Sequence, residues 1–158
     1  MFRTKAGLIL GGLAAALVFA APSTATTPQD AGGMSFLTGR TVTGVRVAGS
    51  HTFLTIIDTR AYVGTISGTS VDELTVRVDE NGDISFRGRS TCTCAIAGRP
   101  GTVVMTIDGK GDASGAFADH RETLGGSATG ALDGVHLNVQ VAGVGGVGSY
   151  TGSYHFDG

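Results

Sequence analysis

The chain has 158 residues, 41% of them hydrophobic and 15% charged, with 11 basic against 13 acidic side chains, two cysteines and no tryptophan. A formal net charge of −2, with the arginines scattered rather than clustered, excludes the basic stripe that would recruit nucleic acid or an anionic membrane surface. The length suits one domain with one sizeable core.

The chain opens with Arg3 and Lys5, then an uncharged run over 6–20, AGLILGGLAAALVFA, then the small-residue stretch APSTA. A charged start, an apolar centre and a small-residue cut are the three parts of a secretory signal peptide, and cleavage after Ala25 is expected. An uncleaved anchor is the alternative, but the apolar run is shorter than the ~20 residues that cross a membrane and no basic stop-transfer cluster follows it. The mature chain, without Arg3 and Lys5, keeps nine basic against 13 acidic residues, a charge of −4. The expected organisation is a signal peptide over 1–25, a flexible Thr-, Gly- and Pro-rich leader over 26–40, and one folded domain over 41–158.

From residue 41 onward apolar and polar residues alternate. Strands are predicted over 42–48, 51–58 and 62–69. In DELTVRVDENGDISFRGR the residues Leu74, Val76 and Val78 share one face, a tight turn falls at Asn81-Gly82, and Ile84 and Phe86 resume the pattern. Val103, Met105 and Ile107 repeat it, and the eight residues are predicted to point inward together. Further strands are predicted over 116–124, 128–132, 135–142 and 149–156. No segment after the leader carries an apolar stripe at helical spacing. The fold class is therefore all-β, a single small antiparallel barrel of about eight strands, whose closure removes the edges that invite aggregation. The 27 glycines fit a small barrel, where glycine allows sharp bending and close approach of strands.

The ordered set AGRPGTVVMTIDGKGDASGAF, GGSATGALDG and GSYTGSYHF resembles the bacterial domain-of-unknown-function 3224 family, in a secreted, actinobacterial-type branch. The resemblance covers roughly 42–156 and implies a barrel of the allene oxide cyclase type, with no catalytic motif to carry over. Members of that family commonly have tryptophan near the position of Arg121, where this chain departs from the pattern.

Both cysteines sit in RSTCTCAIAGRPG. Export would place Cys92 and Cys94 where disulfides persist. Residues two apart on a regular strand have Cα atoms about 6.6–6.8 Å apart, at the upper limit for a bridge, so a bulge or turn at Thr93 is expected if they pair. A local structural clasp, two free or intermolecularly paired thiols, and a redox-active pair all remain open. A metal held by two cysteines alone would lack ligands.

The densest polar cluster is FADHRETL, where His120 and Glu122 share one face and Asp119 and Arg121 share the other with Phe117. His120 and Glu122 are a weak polar-site candidate, set against the plainer reading of a charged outer face. Asp79, Glu80 and Asp83 surround the Asn81-Gly82 turn but lack the spacing of a calcium loop, so they are read as a solvated hairpin tip. No catalytic residue, metal or cofactor is assigned. The expected function is binding of a small apolar ligand or an extracellular partner, with no nucleic acid and no membrane contact after cleavage. An isomerase- or cyclase-like enzyme using the barrel interior is the alternative, and a buried carboxylate or histidine facing a cavity would favour it.

Overall fold

A computed structural model describes residues 26–158, so the expected signal peptide over 1–25 lies outside the described residues. Nine strands follow in chain order: β1 Gln29–Ala48, β2 His51–Gly64, β3 Ile66–Val78, β4 Ile84–Ile96, β5 Arg99–Gly111, β6 Ala116–Thr123, β7 Thr129–Gly130, β8 Val135–Val144 and β9 Val147–Phe156. The spatial order β4-β3-β2-β1-β9-β8-β6-β5, with β4 also paired to β5, closes an eight-stranded antiparallel barrel. The two-residue β7 adds to β5 at Gly101 and Thr102. No helix occurs among the described residues.

All eight residues predicted to face inward do so. Leu74, Val76, Val103, Met105 and Ile107 are buried, while Val78, Ile84 and Phe86 are half-buried around one open end. The Asn81-Gly82 turn also stands where expected, with Gly82 at φ +84° and Asp79 accepting the backbone N–H groups of Asn81 and Asp83.

Three strand boundaries differ from the sequence reading. The strand predicted over 128–132 is reduced to the two-residue β7, with a turn from 131. Residues 29–40, expected as a flexible leader, form the first part of β1, and Gln29 to Phe36 pair with β9 to close the barrel. Residues 59–61, expected between strands, lie inside β2, and the break falls instead at Thr65 beside Gly64 with φ +118°. Tyr150 fixes that corner: its hydroxyl accepts the Ile66 N–H at 2.8 Å and occupies space that a Cβ on Gly33 would fill. Beyond Phe36, β1 pairs only with β2, so a hairpin extends past the barrel wall with Val42, Val45 and Val47 exposed. Register shifts between Leu37 and Gly39 and between Val42 and Gly44 irregularise that edge, one of the ways proteins discourage further strand pairing.

Cys92 and Cys94 are joined to each other within β4, their Cα atoms 5.5 Å apart. The expected bulge at Thr93 is not found, since β4 keeps an unbroken register with β3 and β5. The strand shortens locally instead. Cys94 lies between Gly68 and Gly101, and a Cβ on Gly68 would come within 2.7 Å of the Cys94 Cα. The absence of that side chain permits the close approach.

Candidate functional site

The interior is divided in two by charge. On one side lies a large apolar core containing Ile66, Cys92, Ile96, Val103, Met105 and Leu137, and on the other a smaller cluster of Ile56, Leu74, Val76 and Ile107. Between them runs a belt of buried polar groups, because the inward alternation of several strands switches there from apolar to charged residues. Strand β2 reads Ile56, Asp58, Arg60, Tyr62 on its buried face, and β3 reads Ser70, Asp72, Leu74. The opposite wall supplies Asp119 and Arg121 from β6, and Ser90 comes from β4.

Pairing register brings the charges together. Asp58 and Asp72 are direct cross-strand partners, a like-charged pair that needs compensating cations. Arg40, on the extended part of β1, grips Asp58 with two hydrogen bonds of 2.7 Å. Asp72, fully buried, accepts the hydroxyls of Ser70 at 2.7 Å and Ser90 at 2.6 Å and the Arg121 Nη1 at 3.0 Å. Arg121 is 2% exposed; it donates through Nε to Asp119 at 2.7 Å and through Nη1 to the Tyr62 hydroxyl at 2.6 Å. Burial opposes the charge on Arg121, but Tyr62, Asp72 and Asp119 more than offset it and raise its pKa. Burial also raises the pKa of Tyr62, and the Arg121 charge works against that rise.

Arg60 is the exception in this network. It is 5% exposed, yet its Nε and Nη1 have no hydrogen-bond partner. Its Nε lies 3.3 Å from Asp72 Oδ2 outside hydrogen-bonding geometry, and its Nη2 is 4.0 Å from Asp58. The Phe117 ring lies 5.5 Å from the guanidinium carbon. Buried donors are normally paired, so an orphaned guanidinium needs an explanation.

A cavity of about 330 Å³ lies at the open end above this belt. Its walls include Leu54, Ile56, Leu74, Val76, Ile84 and Phe86, and its floor is Asp58, Arg60 and Arg121. Gly145 and Gly146 of the β8–β9 turn form part of the rim. Glycine at 109 leaves room for the Asp119 Cβ and the Phe86 ring, which would lie 2.6 and 2.4 Å from a Cβ there.

The sequence candidates fall elsewhere. His120 and Glu122 lie on the face opposite the buried Asp119 and Arg121, with His120 Nε2 3.0 Å from Asn138 Oδ1. The other face of the same strand supplies Asp119 and Arg121 to the belt. One group of three metal-capable donors occurs among the described residues, His136, His155 and Asp157, on the outer surface at the end opposite the cavity. The two imidazoles stack at 4.6 Å as cross-strand partners, and His136 Nε2 is 3.1 Å from Asp157. They could take a cation at the surface, but they lie outside the barrel interior.

A closed antiparallel barrel with a charged partition and one open apolar chamber is the class of protein that fold and site define. The chain is similar in fold to a protein of unknown function from the DUF3224 family of Shewanella oneidensis MR-1, known from its crystal structure. The TM-score is 0.70 at 16% identity, covering 84% of this chain and 100% of that one. No family model matches the chain, and the comparison with curated proteins gives no match.

Proposed function

We propose that this protein is an exported binding barrel that holds one small, largely apolar molecule in its open chamber. The observation that carries the reading is the 330 Å³ chamber with apolar walls above a polar floor. It stands near the lower end of the range for ligand pockets, and a few placed polar groups on an apolar wall are what such pockets use for orientation. Export rests on the charged start, apolar run and small-residue cut before Thr26.

The cyclase-like alternative needs a buried acid or base facing the chamber. Asp58 meets the positional condition, but both of its oxygens are engaged by Arg40, and no histidine lines the chamber. Binding without chemistry is therefore preferred. Two measurements test the reading. An apolar fluorescent probe such as N-phenyl-1-naphthylamine should brighten on binding, and Leu54→Trp, which fills the chamber, should abolish the signal; undiminished binding by that variant overturns the site. Intact-mass analysis of protein from the medium should give a chain starting at Thr26, and recovery of the full 158-residue chain in the cytosol would contradict export.

A further inference from the structure

We propose that the molecule held in the chamber is electrically neutral and carries a hydrogen-bond acceptor, of which a ketone, aldehyde or ester carbonyl is the simplest, seated on Nη2 of Arg60. The inference rests on the binding reading above and adds the chemical class of the ligand's polar end.

The first ground is the donor. Arg40 is committed to Asp58, and Arg121 to Asp119, Asp72 and Tyr62. Arg60 alone among the floor guanidiniums keeps buried nitrogens without a partner. Nε lies beside Asp72 and Nη1 is fully enclosed, whereas Nη2 makes no hydrogen bond, stands 4.0 Å from Asp58 and keeps accessible surface, so Nη2 is the arm left for a ligand in the chamber. A buried donor facing an apolar chamber is better served by an acceptor than by hydrocarbon.

The second ground is charge. Three guanidiniums, Arg40, Arg60 and Arg121, meet three carboxylates, Asp58, Asp72 and Asp119, so the floor offers a donor but no spare positive charge. Asp112, also lining the chamber, adds another carboxylate at the rim, its pKa held low by hydrogen bonds from the Ser114 side chain and backbone. An ionised acid would bring an uncompensated charge into a low-dielectric space already balanced, and an amine would meet only donors at Arg60. A neutral acceptor satisfies Nη2 without either cost.

The test compares three probes of one shape: 4-phenylbutan-2-one, butylbenzene and 3-phenylpropanoate, titrated at pH 7 by calorimetry or protein NMR. The ketone should bind about tenfold more tightly than either of the others, the size expected for one hydrogen bond to a charged donor. Arg60→Lys keeps a cation beside Asp72 but removes the Nη2 donor; it should lower ketone affinity to that of butylbenzene while leaving butylbenzene binding and cooperative melting in place. Should that variant fail to fold, the unaltered protein still decides the matter: the Arg60 side-chain N–H resonances should shift with the ketone and not with butylbenzene. Tighter binding of the carboxylate overturns the neutral head. Equal binding of ketone and butylbenzene overturns the role of Arg60 while the binding reading stands, and failure of all three to bind defeats both.

Discussion

At the closed end of the barrel Ile96, Val103, Met105, Leu137 and Val139 are 0 to 1% exposed, whereas at the mouth Leu54, Val78, Ile84 and Phe86, with the same inward parity, are only half-buried. The strands carry one pattern from end to end, so the difference comes from what covers each end. Below, Leu132 from the segment around β7 is fully buried beside Gly101, and Phe156, over which Arg99 lies at 4.1 Å, packs with the same core. Above, the Arg–Asp belt ends the core and no comparable side chain fills the space beyond it. The lower end therefore holds the packed core of the fold, and the upper end keeps an open cavity.

Breaking the partition should produce the largest effect. Arg121→Met leaves Asp72 and Asp119 buried without their shared cation and should cost about 3–5 kcal/mol in denaturant unfolding. A loss below ~1 kcal/mol would show that the belt does not hold the two chambers apart.

Truncation at equivalent positions sharpens the contrast. Leu137→Ala in the sealed chamber should cost about 2–4 kcal/mol, whereas Leu54→Ala at the mouth should cost less than ~1 kcal/mol, because a half-buried site leaves little enclosed void. Similar losses would mean the mouth is packed as a core.

Alkaline pH probes the belt from the tyrosine side. Tyr62 has a pKa raised by burial in the folded barrel, so its contribution is fully present below its unfolded value near 10 and is lost as pH rises toward its folded value. Stability should fall over that window with a limiting slope of about 1.4 kcal/mol per pH unit. Tyr62→Phe should flatten this part of the curve. An unchanged slope would show that Tyr62 does not report the belt.

The belt was legible in part, and the reason it was missed is instructive. The inward set Leu74, Val76 and Val78, extended two residues at a time toward the N-terminus, reaches Asp72 and then Ser70. In FADHRETL, Asp119 and Arg121 share parity with Phe117, whereas the histidine–carboxylate pair, the more familiar signature of a polar site, lies on the other face. Charged residues read as solvent-facing unless a compensating partner is known, and the partners here lie far apart in sequence, with Arg121 meeting Asp72 across the barrel. Arg60 was hidden because TRA at 59–61 looked like a break between strands. Composition misled similarly at 26–40: its glycines and threonines suggested a loose leader, but the space beside Tyr150 requires glycine at 33 within a strand. The barrel class, the inward face and the Asn81-Gly82 turn depended on alternation alone, which is local, and were readable.

The smallest effect concerns the cysteine clasp at the sealed end. Cys92 is fully buried and Cys94 nearly so, with both in the lower core rather than at a frayed strand end. The bond closes a loop of about three residues, which removes only ~1.6 kcal/mol of unfolded-chain entropy on the chain model. Replacement by serine would add the cost of burying two hydroxyls, so the double variant Cys92→Ala, Cys94→Ala isolates the clasp better. It should melt cooperatively and only a few degrees lower, with probe binding in the upper chamber unchanged because the belt lies between. Thiol counting under denaturing conditions on the parent protein should find no free thiol. If the alanine variant loses its cooperative transition, the bond pins the glycine-flanked approach of β3, β4 and β5 and the sealed end depends on it. If it loses probe binding while still folded, the belt does not insulate one chamber from the other.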